Sequence, residues 1–74
     1  MKVKFKDGTV KNMKYEDVCH KLGFVPETHF VKITRGGAIG FEIGTPNEIR
    51  ALYRAIEREG MIPTRGMVTL NAGL

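Results

Sequence analysis

Residues 23–26, Gly-Phe-Val-Pro, return at residues 60–63 as Gly-Met-Ile-Pro. Each copy follows a stretch with helical periodicity, so its glycine is predicted to end a helix and its proline to prevent continuation. Two further pairs of blocks recur in the same order along the chain. These are residues 5–9 with 41–45, and residues 30–33 with 67–70. Three recurring blocks in register predict an internal duplication.

The duplication predicts a single domain, residues 1–74, built from two strand–helix–strand units at about 1–36 and 37–74. The resulting order βαββαβ resembles the ferredoxin-like arrangement, an α+β fold with both helices on one face of an antiparallel sheet. Asp7-Gly8 is also a strong hairpin signal, which would add an early strand from Thr9 to Met13. The repeat instead leads this stretch into the first helix. The local signal favours the hairpin.

Two helices have clear boundary signals. The second has Thr45 as its N-cap, Pro46 at the first helical position and Glu48 placed to complete a capping box. Its predicted core-facing stripe consists of Ile49, Leu52, Tyr53 and Ile56. The first helix is predicted from about Lys14 to Leu22, and Gly23 closes it.

A hairpin turning at Gly36-Gly37 is predicted to pair Ile33 with Gly40 and Val31 with Glu42. Alternation then turns Phe30, Ile39, Phe41 and Ile43 towards the helices. The opposite, open face receives an aliphatic patch that we predict to be a homodimer or partner interface, formed by Val31, Ile33, Val68 and Leu70. The alternative is a solvated face with tolerated aliphatic residues. Strand one adds a row of lysines to this face: Lys2, Lys4 and Lys6.

The charge distribution favours an anionic partner. The formal net charge is +4, and residues 1–35 contain eight Lys/Arg against four Asp/Glu, so all of the excess lies in this half. A single cysteine excludes an internal disulfide and suits a reducing compartment. No apolar run is long enough to span a bilayer, and the opening residues alternate charge with bulk, unlike a signal peptide. We therefore expect a soluble cytoplasmic protein with no membrane contact.

Two Thr-Arg-Gly segments are the candidate ligand-binding sites. The predicted residues are Arg35, Gly36, Gly37, Arg65 and Gly66, with Lys4 contributing from the lysine row. A guanidinium beside bare glycine backbone can bind phosphate, because arginine donates in a bidentate manner and glycine N–H groups can approach closely. The alternative is that each glycine only serves a turn and each arginine is solvated.

No catalytic or metal-binding arrangement stands out. Cys19 and His20 are adjacent on a helix and point about 100° apart, so they cannot form a nucleophile–base pair. Cys19 lies on the apolar stripe and is predicted to be an inert core residue. One cysteine and two histidines cannot close a four-ligand zinc site. We expect no enzymatic activity, no cofactor and no metal.

The sequence thus predicts a small, oligomeric, non-enzymatic binding protein that sequesters a phosphate-bearing ligand such as a nucleotide or cyclic nucleotide signal. One alternative is a protein–protein inhibitor or adaptor that acts on a host protein through the aliphatic face. Another is a DNA-binding accessory protein that uses a stripe of Arg50, Arg54 and Arg58. RNA binding is disfavoured because aromatic residues occur only where the core needs them.

The opening residues 1–9 resemble the first strand and turn of many small proteins of bacterial viruses. If the chain has a viral origin, an anti-defence role in a phage is a hypothesis that rests on the small size of the chain and not on any particular residue. Binding a host immune nucleotide or blocking a host defence protein would suit a compact domain without catalytic groups.

Overall fold

The computed structural model describes residues 1–64 and shows a mixed α+β fold with the order ββαββα. Its elements are β1 (Lys2–Lys4), β2 (Val10–Asn12), α1 (Tyr15–Leu22), a short 3-10 turn (Pro26–Thr28), β3 (Val31–Ile33), β4 (Ile39–Phe41) and α2 (Pro46–Arg58). The α+β class is confirmed. The predicted βαββαβ order is wrong, because a hairpin precedes each helix. The predicted strand at 67–70 lies outside the described residues.

The stretch after Asp7-Gly8 forms the strand that the local turn signal predicts, and not the helix entry that the repeat predicts. β1 and β2 pair as an antiparallel hairpin, which confirms the early strand. Residues 5–9 therefore form a turn, whereas their sequence counterparts 41–45 lead from β4 into α2. Similar residues thus have different structural roles, since the conformation of a short glycine-containing segment is set by its neighbours.

The two hairpins have the same loop geometry. In the first, the Phe5 N–H donates to the Thr9 carbonyl at 2.8 Å and the Gly8 N–H to the Phe5 carbonyl at 3.0 Å. In the second, the Thr34 N–H donates to the Ala38 carbonyl at 2.9 Å and the Gly37 N–H to the Thr34 carbonyl at 3.0 Å. Each loop has three residues, and its last is a glycine with φ near +90° (Gly8 91°, Gly37 89°). This is the glycine-bulge loop that commonly closes three-residue hairpins.

The longer loop corrects the predicted register of the second hairpin. Val31 pairs with Phe41 and Ile33 with Ile39, one position away from the expected pairing. A shift of one residue exchanges the two faces of a strand. Val31 is consequently buried in the core, at 3% exposure, and not on an open face. Ile33 is half-buried against that core.

Of the three residues after the second hairpin loop that were predicted to face the helices, two do so. Ile39 is buried and Phe41 is half-buried against the core, but Ile43 is 87% exposed. The chain has left the strand by Ile43 and is approaching the start of α2. The alternation that would turn Ile43 inward therefore no longer applies.

Both helices begin and end as predicted. At the start of α2, the Thr45 hydroxyl accepts from the Glu48 N–H at 3.2 Å, and the Glu48 carboxylate accepts from the Thr45 N–H at 3.0 Å. The residue after each closing glycine donates back into its helix, Phe24 N–H to Cys19 and Met61 N–H to Ile56. These bonds form equivalent left-handed helix ends and explain the repeated Gly-x-x-Pro blocks. Among residues 1–64, no helix has the length and hydropathy needed to cross a membrane.

The segment 60–64 connects the two hairpins through backbone hydrogen bonds. The Lys6 N–H donates to the Gly60 carbonyl at 2.8 Å, and Phe5 and Met61 form an antiparallel bridge. On its other side, the Ile39 N–H donates to the Ile62 carbonyl at 2.8 Å and Ile39 accepts from the Thr64 N–H at 2.9 Å. Buried side chains from β1, both helices, β3, β4 and this segment form one core cluster.

Gly37 supports a prediction about how the second hairpin loop packs. A Cβ at Gly37 would lie 2.8 Å from the Lys4 backbone nitrogen, whereas a Cβ at Gly8 would meet nothing within 4 Å. Both glycines have φ near +90°, so alanine is strained at either position by roughly 1–3 kcal/mol. We expect Gly37→Ala to lower the free energy of unfolding distinctly more than Gly8→Ala in urea denaturation. Equal losses would contradict the close approach of the loop to β1.

The capping box supports a second prediction. Thr45→Ala should lower the free energy of unfolding by about 1 kcal/mol, because one N-terminal N–H of α2 loses its side-chain acceptor. Thr9→Ala is the comparison variant, since Thr9 is an exposed threonine that lies outside both helices and caps neither. Urea denaturation of both variants measures the difference. A larger loss in Thr9→Ala would count against the capping role.

Candidate functional site

Two distant parts of the sequence meet at a basic depression. We use this name for an open surface hollow of about 290 Å³ lined by Met1, Lys2, Ile33, Thr34 and Arg35. The second hairpin loop reaches β1 here, and the Lys4 N–H donates to the Gly37 carbonyl at 3.0 Å. Lys2 and Lys4 are both exposed on β1, while Val3 between them is buried. The fold thus places Arg35 and Gly37 beside the lysine row.

The predicted glycines differ in their surroundings. Gly36 is exposed and a Cβ there would meet nothing within 4 Å. Gly37 is buried, donates its N–H to Thr34 and accepts at its carbonyl from Lys4. Gly37 therefore permits the loop to approach β1, and its N–H is already committed within the protein. Arg65 and Gly66 lie outside the described residues.

The cations at the depression lack acidic neighbours within residues 1–64. Elsewhere in this part of the chain, Lys6, Lys21, Lys32 and Arg58 each have a carboxylate oxygen within 4.0 Å. No described carboxylate approaches Lys2, Lys4 or Arg35 to that distance. Three cations without a described carboxylate within 4.0 Å therefore lie where the second hairpin loop meets β1, although Lys11, Lys14, Arg50 and Arg54 have none either.

A larger apolar groove continues from the depression along β3. It is open to solvent, has a volume of about 600 Å³ and is lined by Met1, Tyr15, Thr28, His29, Val31, Lys32, Ile33, Glu42 and Ile43. We call it the β3 groove. Met1 and Ile33 line both hollows, so the two lie next to each other. Within the groove, Lys32 and Glu42 pair at 3.7 Å and largely neutralise each other.

Tyr15 and His29 form the aromatic end of the β3 groove. Their rings stack with centroids 6.4 Å apart and planes inclined by 21°. His29 has φ of 54°, the left-handed region, which fixes its position after the 3-10 turn. Neither Tyr15 nor His29 was predicted as a site residue. No sequence signal could have joined them, because their proximity depends on how the turn returns to α1.

The Tyr15 hydroxyl is held inside the protein. It donates to the Val31 carbonyl. Burial, reinforced by the neighbouring Cys19 thiol, raises the pKa of Tyr15 to about 12. The phenol therefore remains protonated at physiological pH and acts as a hydrogen-bond donor to β3.

Cys19 is a core residue, as predicted. Its side chain is completely buried, and burial raises the pKa of its thiol. A buried, protonated thiol is a poor nucleophile. In the described part of the chain, no three His, Cys, Asp or Glu residues are grouped to hold a metal ion.

The other predicted contact surfaces are changed by the structure. The Val31 side chain is in the core, so only Ile33 of the proposed interface is partly accessible, and Val68 and Leu70 lie outside the described residues. On α2, Arg50 donates to the Pro46 carbonyl and to Asn47, and Arg58 pairs with Glu59. These internal contacts engage two of the three arginines in the stripe predicted for DNA.

Comparison with protein-family models, with curated proteins and with solved structures finds no match for this chain. Functional inference therefore rests on the geometry and charge of the two hollows.

The raised pKa of Tyr15 predicts an alkaline loss of stability. Tyr15 binds its proton more tightly in the folded state, so its contribution is complete below the ordinary pKa of 10.0 and is lost as pH rises towards about 12. Spectrophotometric titration should show a tyrosine that ionises near pH 12 and is absent from Tyr15→Phe. Tyr53→Phe is the matched control and should retain it. If Tyr15→Phe removes a transition near pH 10 instead, the buried hydrogen bond is refuted.

Proposed function

We propose that this protein is a small non-enzymatic binding protein that sequesters a phosphate-bearing ligand at the basic depression. The observation that supports this most directly is the gathering of Lys2, Lys4 and Arg35 without a described carboxylate within 4.0 Å. Like charges repel one another, so a bound anion would relieve the mutual repulsion of these three exposed cations. Arg35 would supply planar, bidentate hydrogen bonds and the lysines would supply point charges.

The β3 groove suits the organic part of a nucleotide. A planar base would lie at the aromatic end, against Tyr15 and His29, with its phosphate at Arg35 and Lys2. The three residues of β3 separate these ends by about 10 Å. A nucleotide has the same division between a planar ring and a charged group. The groove volume of about 600 Å³ also lies in the range of small-molecule sites.

Sequestration, and not turnover, is the proposed role. Cys19 is buried, and among residues 1–64 no three His, Cys, Asp or Glu residues are grouped to hold a metal ion. We propose a cytoplasmic setting, where signalling nucleotides occur. A viral origin, inferred from residues 1–9 alone, would make this an anti-defence activity. A homo-oligomer, formed away from the β3 groove, would bury more surface than one chain of 8.3 kDa can bury alone.

The proposal predicts stabilisation by nucleotides. A ligand at 100 times its dissociation constant stabilises the folded state by roughly 2.7 kcal/mol. For a domain of this size, each kcal/mol raises the melting temperature by roughly 4–8 °C. We expect such a rise with at least one member of a panel of mono-, di- and cyclic nucleotides. Arg35→Gln should abolish it, whereas Arg54→Gln, the same substitution on the exposed face of α2, should retain it.

Two simpler probes separate the parts of the site. Pyrophosphate tests the basic depression alone, and the matching nucleoside tests the aromatic end alone. Each should stabilise the protein less than the nucleotide does. A panel that leaves the melting temperature unchanged, or an equal rise in Arg35→Gln and wild type, would defeat the proposal.

A further inference from the structure

The outer edge of β3 is unpaired in the described part of the chain. β3 has only β4 as a neighbour. The Thr34 N–H donates to the Ala38 carbonyl, and the Glu42 N–H donates to the Phe30 carbonyl. Hydrogen-bonded pairs recur at every second residue of an antiparallel pair, so Lys32 and Gly40, which lie opposite each other, also form one. The backbone groups of Val31 and Ile33 therefore point away from β4.

Three of these backbone groups remain without a partner. The Val31 carbonyl accepts from Tyr15, but the Val31 N–H and both polar groups of Ile33 make no hydrogen bond within residues 1–64. Donors and acceptors spaced two residues apart on a strand edge match the backbone of another extended chain. Such edges readily accept an additional strand.

Apolar side chains line the space beside this edge. Ile43 is 87% exposed and Met1 is 57% exposed, and both line the β3 groove with half-buried Ile33. Alternate side chains of an added strand would point into this groove and cover these residues. A nucleotide would occupy the same groove but would not pair with the Ile33 backbone groups, so strand addition is a different use of this surface.

The charges around the edge of β3 favour one class of binding partner. Arg35 and Lys2 lie at one end and have no described carboxylate within 4.0 Å, while Lys32 is already paired with Glu42. A second copy of this chain would bring its own Arg35 and Lys2, which also have no described carboxylate within 4.0 Å, to the same edge. Like charges opposite one another destabilise strand pairing. An acidic chain is therefore favoured over self-association.

From the open edge, the apolar groove and the uncompensated cations, we infer that β3 is a strand-addition site for an extended, acidic segment of a partner protein. The partner would place aliphatic side chains in the β3 groove and a carboxylate at Arg35. This inference does not depend on nucleotide binding, although both sites use Arg35.

Amide hydrogen exchange followed by NMR tests the edge in the whole protein. Without ligand, the Lys32 amide should be protected and the Val31 and Ile33 amides should exchange fast. A synthetic seven-residue peptide of alternating Val and Thr with Asp at both ends should slow exchange at Ile33 at least ~10-fold. The same peptide with N-methylated valines, which cannot donate from those positions, should have no effect. Replacing Asp with Lys should weaken binding at least ~10-fold.

Variants of the protein provide the charge control. Arg35→Gln should weaken the acidic peptide, and Arg54→Gln should bind it as wild type does. If nucleotides do not raise the melting temperature but the peptide still slows exchange at Ile33, only the phosphate proposal is refuted. If a nucleotide raises the melting temperature but the peptide does not slow exchange at Ile33, only the strand-addition site is refuted.

Three outcomes would overturn the inference. Protection of Ile33 without peptide that rises with protein concentration would assign the edge to a second copy. Protection independent of concentration would assign it to another part of the same chain. Equal binding of the N-methylated peptide, or no effect of the acidic peptide up to millimolar concentration, would show that β3 does not accept a strand.

Discussion

The structure depends on the hydrogen bonds that segment 60–64 makes to both hairpins. Two-stranded hairpins are marginal alone in water. Segment 60–64 bonds to Lys6 on one side and to Ile39 on the other, and so couples them. Gly60, with φ of 71°, turns the chain out of α2 at this point, and Met61 is buried beneath the junction. The end of a helix thus determines how two sheets are joined.

This junction also explains how the basic depression arises. The hairpins have the same loop, but they present opposite strand positions to the core. In β1 the central residue, Val3, is buried, whereas in β3 the central residue, Lys32, is exposed and Val31 is buried. The lysines of β1 are therefore turned outwards where the second loop arrives with Arg35. Gly37 makes this contact sterically feasible because it has no Cβ to collide with Lys4.

Two sets of groups on the same side of the molecule lack partners within residues 1–64. One set consists of the cations Lys2, Lys4 and Arg35, which have no described carboxylate within 4.0 Å. The other consists of the Ile33 backbone donor and acceptor, which have no hydrogen-bond partner in residues 1–64. A small anion can neutralise the cations, whereas an extended chain is needed to pair with the Ile33 N–H and carbonyl. The shared position of Arg35 would let the two ligands compete.

Local signals in the sequence determined the helices. The Thr45 and Glu48 capping box, the closing glycines and the apolar stripe of α2 all act within a few residues, so they could be read without the fold. The Asp7-Gly8 turn signal and the burial of Cys19 were predicted for the same reason. Arg35, Gly37 and Lys4 could be singled out by their chemistry, but nothing in their spacing showed that they would meet.

Tertiary structure alone decided the strand order, the register of the second hairpin and the aromatic pair in the β3 groove. The repeat in the sequence correctly marked equivalent helix ends, whereas the strand order inferred from it was wrong. A one-residue difference in loop length reversed the faces of β3, because strand side chains alternate with a period of two. The strand order and the aromatic pair depend on contacts between separate elements of the fold, which no local pattern of residues encodes.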